Sequence, residues 1–273
     1  MRVTVLVENT VGRALPISGE HGLSLWVEHD RHKLLFDTGQ RGAVVTNAAF
    51  LRVDLKEAEA IVLSHGHSDH TGGLRSVLEF TGRKPVYAHP DIFTAHRVSS
   101  PSDRFVGIPF ARDELQNAGA EFVWVTEPFE IFPGLWLSGE VPRRTPFEKG
   151  DPRMYIYQAE KQVPDPLADD LSLYASTSEG LVVLLGCAHA GVVNIVKHAQ
   201  FVTGVEKVAA VIGGTHLGPA DPVQLDETLS YLKDLNLKLL AANHCTGQQV
   251  AARLAGVFGE RFHFAAAGDT LEF

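Results

Sequence analysis

Three histidines and one aspartate lie within a run of six residues, at His65, His67, Asp69 and His70. They directly follow a short apolar run, residues 60–63, which predicts a buried strand. In an extended segment alternate side chains share a face, so His65, His67 and Asp69 can converge while His70 turns elsewhere. Imidazole and carboxylate together suit zinc, iron or manganese. The spacing therefore predicts a metal site rather than a surface loop with incidental histidines.

Three later predicted strands also end near a histidine. The strands over residues 180–185, 208–212 and 238–241 are followed, in that order, by His189, His216 and His244. In open α/β sheets, ligands bind beyond the carboxyl ends of the strands. We therefore expect these histidines to share one site with the first cluster. His189 and His244 are candidate metal ligands, whereas His216 is a candidate ligand, substrate contact or structural residue.

Asp37 and the two cysteines extend the candidate site. Asp37 follows the strand at residues 34–36, where it could accept a hydrogen bond from a metal-bound histidine or serve as a turn residue. Cys187 and Cys245 each lie beside a candidate histidine. A thiolate could bind zinc, but a free cysteine is usually a small buried side chain. We expect the buried role for Cys245 and leave both roles open for Cys187. The remaining histidines are expected to have structural or surface positions only: His21, His29, His32, His89, His96, His198 and His263.

Strands alternate with helices along most of the chain. Residues 23–28 and 33–36 flank a polar turn and predict a hairpin, and helices are predicted over residues 41–51 and 71–80. In the second half, helices are predicted over residues 191–202, 221–235 and 248–258. This alternation favours α/β layering.

Two polar stretches, residues 96–109 and 140–168, interrupt this alternation. Loops of such length are uncommon inside a compact domain and often act as lids or binding loops. We expect both stretches to be irregular, either as functional loops or as plain insertions.

The composition is that of an ordinary globular protein of 273 residues, 45% hydrophobic and 21% charged. A net charge of −9 and the lack of a Lys/Arg-rich run argue against general nucleic-acid binding. Residues 1–9 lack the pattern of a signal peptide, and no stretch reaches the roughly 18 apolar residues of a membrane span. Two cysteines do not make a disulfide framework. We expect a cytoplasmic enzyme with a small-molecule substrate, no membrane or nucleic-acid partner, and an oligomeric state that the sequence leaves open.

The run His65-Gly66-His67-Ser68-Asp69-His70 resembles the His-x-His-x-Asp-His signature of the metallo-β-lactamase superfamily. A finer resemblance is to the branch that contains the archaeal dihydropterin–ribofuranosyl-aminobenzene-phosphate synthase and its bacterial relatives. It is carried by Val7-Glu8-Asn9-Thr10, Ser138-Gly139-Glu140-Val141-Pro142-Arg143, Gly186-Cys187-Ala188-His189-Ala190-Gly191, Gly213-Gly214-Thr215-His216-Leu217 and Asn243-His244-Cys245-Thr246-Gly247. The resemblance covers nearly the whole chain. It implies an α/β fold of the αββα type, two mixed β-sheets with helices on the outer faces, as a single domain over residues 1–273.

The resemblance also implies a site for one or two divalent metal ions. The implied ligands are His65 and His67 for the first metal, and Asp69, His70 and His244 for the second. Better-known members have Gly-His where this chain has Gly139-Glu140, and Gly-Asp where it has Gly186-Cys187. We expect His189 as the third ligand of the first metal, with Cys187 and Glu140 as alternatives. Zinc is the expected metal, with manganese or iron as alternatives.

The implied activity is hydrolysis of an ester or phosphoester-type small molecule by a metal-activated water, whose pKa falls towards about 7. Asp69 is expected to position that water, and His216 to contact the substrate or donate a proton. Arg143 is expected to hold a substrate phosphate through forked hydrogen bonds, whereas Arg144 is expected to be a solvent-exposed charge.

Three alternative functions remain open at this point. The branch resemblance implies a synthase that transfers a dihydropterin group in pterin-type cofactor biosynthesis. The others are an iron redox protein and a non-catalytic metal-binding module.

Overall fold

The computed structural model describes all residues, 1–273. Its strands are β1 (Arg2–Val7), β2 (Ser24–His29), β3 (His32–Phe36), β4 (Ala60–Val62), β5 (Lys84–Ala88), β6 (Arg97–Val98), β7 (Arg104–Phe105), β8 (Ala120–Trp124), β9 (Phe129–Phe132), β10 (Leu135–Leu137), β11 (Met154–Gln158), β12 (Lys161–Pro164), β13 (Leu173–Thr177), β14 (Gly180–Leu185), β15 (Val208–Gly214), β16 (Leu239–Asn243), β17 (Phe262–Phe264) and β18 (Thr270–Glu272). Its α-helices are α1 (Ala43–Phe50), α2 (Ser68–Thr71), α3 (Leu74–Thr81), α4 (Arg112–Ala118), α5 (Val192–Thr203), α6 (Pro222–Asp234) and α7 (Gln248–Phe258).

Most strands form two mixed sheets of seven strands each. The first has the order β18-β1-β2-β3-β4-β5-β8, and the second has the order β17-β16-β15-β14-β13-β10-β9. The predicted hairpin is confirmed, because β2 and β3 pair antiparallel with Leu25 opposite Phe36. Strands β3, β4, β5 and β8 are parallel, and so are β14, β15, β16 and β17. Parallel strands need crossover connections, so their carboxyl ends collect at one edge of each sheet.

A buried apolar layer lies between the two sheets. Leu34 and Phe36 of β3 belong to it, together with Leu184 of β14. Leu35 points to the opposite face of its sheet, where it belongs to a second cluster with Leu74 of α3. Helices α5, α6 and α7 cover the outer face of the second sheet in the same way. Alternating apolar residues thus bury both faces of each central strand, and full burial of one such side chain contributes about 1.5–3 kcal/mol. The result is the expected αββα layering.

The two stretches predicted to be irregular contain the four strands of a third sheet, so the prediction is wrong for these strands, whereas the rest of both stretches is irregular as predicted. The order of this sheet is β12-β11-β6-β7, and β11 pairs Met154 with Val98. Strands β6 and β7 contain two residues each, too few to show a period in the sequence. They pair with each other, and β6 also pairs with β11, which comes from a distant part of the chain, so only the tertiary structure selects that pairing.

The helix predicted over residues 71–80 is divided into α2 and α3 by Gly72 and Gly73. A Cβ on Gly72 would lie 2.0 Å from the carbonyl oxygen of Gln40, and one on Gly73 would lie 2.1 Å from that of Thr38. Both positions require glycine because another backbone segment passes directly against them. The other predicted helices agree with the structure to within two residues at each end.

Strands β8, β9, β10, β13, β17 and β18 and helix α4 are not predicted from the sequence. Strand β9 illustrates why, because its residues are partly or largely exposed and do not alternate between apolar and polar. None of the helices is both long and apolar enough to cross a membrane.

Candidate metal centre

The histidine-bearing ends of the strands meet at one edge of the sandwich. His65 and His70 follow β4 in the first sheet, while His189 and His244 follow β14 and β16 in the second. His70 Nε2 lies 3.1 Å from His244 Nε2, and the ring centroids of His65 and His189 are 4.8 Å apart. Packing of the two sheets therefore assembles one cluster from residues that are distant in sequence.

One group of potential ligands consists of His65, His67 and His189, which offer ring nitrogens within 4.8 Å of one another. All three side chains are buried, and His67 Nε2 and both ring nitrogens of His189 have no hydrogen-bond partner. Burial lowers the pKa of His67 to about 4, and it also lowers the pKa of His65 and His189. Neutral imidazoles keep the lone pair that a metal ion needs.

The backbone of this segment is held by a buried polar network. A Cβ on Gly66 would lie 2.3 Å from the carbonyl oxygen of Ile92, so only glycine fits there. The Gly66 N–H donates to Asp169 Oδ2 at 2.7 Å, and His96 Nδ1 donates to Asp165 Oδ2 at 2.6 Å. His96 therefore has the structural position expected from the sequence, beside the cluster rather than in it.

A second group surrounds Asp69. Its Oδ2 lies 3.3 Å from His244 Nε2, 3.2 Å from His21 Nε2 and 4.0 Å from His70 Nε2. Burial acts to raise the pKa of Asp69, but the neighbouring histidines, His70 first, hold it well below its usual range. The carboxylate is thus an anion at the centre of three imidazoles. The sequence gives no signal for His21, which lies outside any regular element and reaches Asp69 only through tertiary packing.

Asp37 contacts His70 on the side away from the cluster. Its Oδ2 accepts a hydrogen bond from His70 Nδ1 at 2.7 Å, and both side chains are fully buried. Ser64 donates to the same carboxylate through its N–H and its Oγ, each at 2.7 Å. Burial lowers the pKa of His70, but the carboxylates of Asp37 and Asp69 outweigh that effect and raise it to about 9. The contact directs His70 Nε2 into the cluster, as residues behind metal-binding histidines commonly do.

Both cysteines lie within the cluster. Cys187 Sγ is 3.2 Å from His70 Nε2. Cys245 forms a further group of potential ligands with Cys187 and His244, and its sulfur accepts a hydrogen bond from the His216 N–H at 3.2 Å. The sequence predicts only a buried side chain at Cys245, whereas the structure places its thiol among the candidate ligands.

His216 lies beside the first group, with its ring centroid 4.3 Å from that of His189. Its Nε2 lies 3.2 Å from Asp151 Oδ2, while its Nδ1 has no partner. Burial lowers the pKa of His216, but the hydrogen bond to Asp151 outweighs it, and the pKa is raised to about 9. Arg153 Nε donates to Asp151 Oδ1 at 2.9 Å. Asp151 belongs to no recognisable motif, so the sequence does not single it out.

Glu140 and Arg143 lie outside the cluster. Glu140 Oε1 accepts a hydrogen bond from His89 Nε2 at 3.2 Å, and Arg143 donates to the carbonyl oxygens of Pro166 and Leu167 at 2.6 and 3.2 Å. Both border a separate cavity of about 190 Å³. The structure therefore does not bring Glu140 to the position of a ligand, and it places the Arg143 guanidinium against loop carbonyl oxygens, away from the cluster.

A cavity of about 530 Å³ opens over the cluster. Asp69, His189 and His216 border it on one side, and Val98 and Met154 of the third sheet border it on another. Small-molecule sites commonly measure roughly 300–1,000 Å³. A larger cavity of about 640 Å³ is bordered by His244 but by no other residue of the cluster. The cavity of about 530 Å³ is therefore the candidate substrate site, and the two polar stretches supply part of its wall.

The residues present fit a divalent metal ion. Imidazole, thiolate and carboxylate are the donor types that bind zinc, and imidazole and carboxylate also suit iron and manganese. The unpartnered nitrogens of His67 and His189 point to the same conclusion, because buried polar atoms normally find a partner.

Comparisons with known proteins identify the family of this chain. Residues 17–198 match the family model of the metallo-beta-lactamase superfamily. The chain is 31% identical to 7,8-dihydropterin-6-methyl-4-(beta-D-ribofuranosyl)-aminobenzene-5'-phosphate synthase of Methanocaldococcus jannaschii, over 100% of this chain and 97% of that protein. A crystal structure described as a metal-dependent hydrolase of the beta-lactamase superfamily is 25% identical, with a TM-score of 0.83 over 100% of this chain and 99% of that chain. A diphosphatase of the PhnP family is similar in fold, with 17% identity and a TM-score of 0.57 over 100% of this chain and 97% of that chain. With the His-x-His-x-Asp-His run, the αββα layers and these matches, the chain belongs to the metallo-beta-lactamase superfamily.

Proposed function

We propose that this protein is a metal-dependent hydrolase that acts on an ester or phosphoester-type small molecule. One observation carries the proposal: two groups of donor atoms, all buried except the partly exposed Asp69, lie side by side beneath a cavity of small-molecule size. We assign His65, His67 and His189 to a first divalent ion, and Asp69, His70 and His244 to a second. Zinc is the proposed metal, and Cys187 is the proposed thiolate ligand between the two groups.

A divalent ion held by these side chains supplies Lewis acidity, which makes water a stronger acid and polarises a carbonyl or phosphoryl oxygen. The chain's own residues orient the reactants. Asp69 accepts a hydrogen bond from the attacking water and so positions it. His216, whose Nε2 is held by Asp151, borders the cavity and donates a proton to the leaving oxygen. Asp37 keeps His70 Nε2 directed at the cluster.

The test is the variant His67→Ala with zinc, manganese or iron added, assayed on bis(4-nitrophenyl) phosphate and 4-nitrophenyl acetate. Loss of a ligand should lower turnover by more than the 10–100-fold that is typical for residues behind the ligands. His32→Ala is a matched control, because His32 begins β3 at the end of the sheet away from the cluster. Wild-type turnover in His67→Ala would overturn the proposal.

A second candidate is a synthase that transfers a dihydropterin group. It is favoured by the 31% identity to the Methanocaldococcus jannaschii synthase over the whole chain. In this reaction the same ligand groups would stabilise an anionic leaving group instead of preparing water for attack. The two candidates differ in product: incubation with a dihydropterin donor and an aminobenzene acceptor yields a coupled product only for the synthase. Donor hydrolysis without coupling would remove this candidate.

A further inference from the structure

The third sheet carries an arginine on the face that borders the cavity. Strand β7 places Arg104 directly opposite Val98, and β11 places Met154 opposite Val98 on the other side. Directly opposed residues of antiparallel strands share one face of the sheet. Val98 is only 4% exposed, and all three residues border the cavity above the metal centre. Arg104 is therefore one of the residues that border the cavity, on the same face of the sheet as Val98 and Met154.

The other arginines nearby are already paired. Arg97, on the opposite face of the sheet, donates to Asp103 Oδ1 at 3.0 Å and to the Tyr155 hydroxyl at 3.1 Å. Arg153 borders the cavity but is bound to the carboxylate of Asp151. The exposed Arg104 has no such partner in the structure, so its five N–H donors are available.

The charges around the cavity leave this guanidinium without compensation. Asp69 is the only carboxylate that borders the cavity, and it is contacted by His21 and His244. Arg104 borders the same cavity as Asp69, His21 and His244, so a small molecule in this cavity can lie against Arg104 and the second ligand group at once.

We infer that Arg104 binds an oxyanion group of the substrate, a carboxylate or phosphate remote from the bond that is broken. This inference rests on the proposed hydrolase function and narrows its substrates to anionic small-molecule esters. A guanidinium suits this role because its planar fork donates two parallel hydrogen bonds to a carboxylate or phosphate. Arg104 takes the role that the sequence predicts for Arg143.

The experiment compares two esters with the same leaving group, neutral 4-nitrophenyl acetate and mono-4-nitrophenyl succinate, which carries a carboxylate. Arg104→Gln should lower the preference for the succinate ester by about 10- to 100-fold, the effect of losing one charge-assisted hydrogen bond. The change should appear mainly as a higher KM for the succinate ester, and Arg104→Gln should hydrolyse the acetate ester at the wild-type rate. Arg104→Lys should keep part of the preference, because it retains the charge without the fork. Arg97→Gln removes a positive charge from the outer face of the same sheet and should leave the preference unchanged.

A second measurement separates this inference from the proposed function. Titration calorimetry of the zinc-loaded protein with phenylphosphonate, an unreactive anion, should show about 10-fold weaker binding for Arg104→Gln than for the wild type or Arg97→Gln. If both esters are hydrolysed and Arg104→Gln changes neither the ester preference nor the phosphonate affinity, the inference is overturned while the hydrolase proposal stands. If neither ester is hydrolysed, the phosphonate titration alone decides, and equal affinities overturn it.

Discussion

Replacement of Asp37 by asparagine isolates the bond that orients His70. Asp37 has a φ of +60°, a conformation that asparagine tolerates better than most residues, so the change does not strain the backbone. The amide oxygen can still accept a hydrogen bond from the Ser64 N–H. The amide NH₂ then faces the Nδ1–H of His70, and two donors meet where a 2.7 Å hydrogen bond exists.

The predicted consequence is weaker metal binding at the second ligand group. Groups that orient a metal-binding histidine typically contribute 10–100-fold in affinity, or about 1.4–2.7 kcal/mol. We expect the upper part of this range because Asp37 and His70 are fully buried and water cannot replace the lost contact. A change of the His70 tautomer does not restore the site. The tautomer whose Nδ1 accepts a hydrogen bond from the amide carries its proton on Nε2, and Nε2 is the atom that must bind the metal.

Zinc affinity is measured by competition with a chromophoric chelator, and metal content by mass spectrometry after dialysis. Asp54→Asn is the control, because Asp54 only caps a short turn before the amino end of β4, at the opposite end of that strand from the cluster. Wild-type zinc affinity and content in Asp37→Asn would refute the reasoning.

Three further changes test other parts of the structure. Gly66→Ala should destabilise the fold by about 1–3 kcal/mol in urea unfolding, because its Cβ would lie 2.3 Å from the Ile92 carbonyl oxygen; unchanged stability would contradict this. Glu148→Ala should cost about 1.5–3 kcal/mol in the same assay, because it removes charge-assisted hydrogen bonds of 2.8 and 2.9 Å to the first turn of α5. Cys187→Ala should remove the thiolate-to-cobalt absorption of the Co²⁺-loaded protein, since Cys187 Sγ lies 3.2 Å from His70 Nε2; a band of undiminished intensity would exclude this thiolate from the metal centre.

The sequence predicts the parts of the site that depend on local geometry. In the run from His65 to His70, residue types and spacing indicate a metal site because a short extended segment presents alternate side chains on one face. The strands that precede His189, His216 and His244 are recognisable because they are continuous apolar runs. Since ligands gather at the carboxyl ends of such strands, a shared site follows without knowledge of the sheet order.

The members of the site that lie outside these motifs depend on tertiary packing. His21, Asp151 and Arg104 have no spacing or periodicity that sets them apart. His21 and Arg104 border the cavity, and Asp151 contacts His216, because distant segments pack there. Packing also places Arg143 away from the cluster, where its guanidinium donates hydrogen bonds to loop carbonyl oxygens.

The sequence by itself thus determined the central parallel strands and the first half of the ligand set, because these follow from contacts between near neighbours in the chain, and its resemblance to a family implied the αββα layers. Only the tertiary structure decided how the second half is completed and which arginine faces the cavity. Asn9 and His244, for example, are separated by 235 residues yet share a hydrogen bond of 3.2 Å. Such a contact is set by the register of two sheets packed together, and no local pattern of residues encodes it.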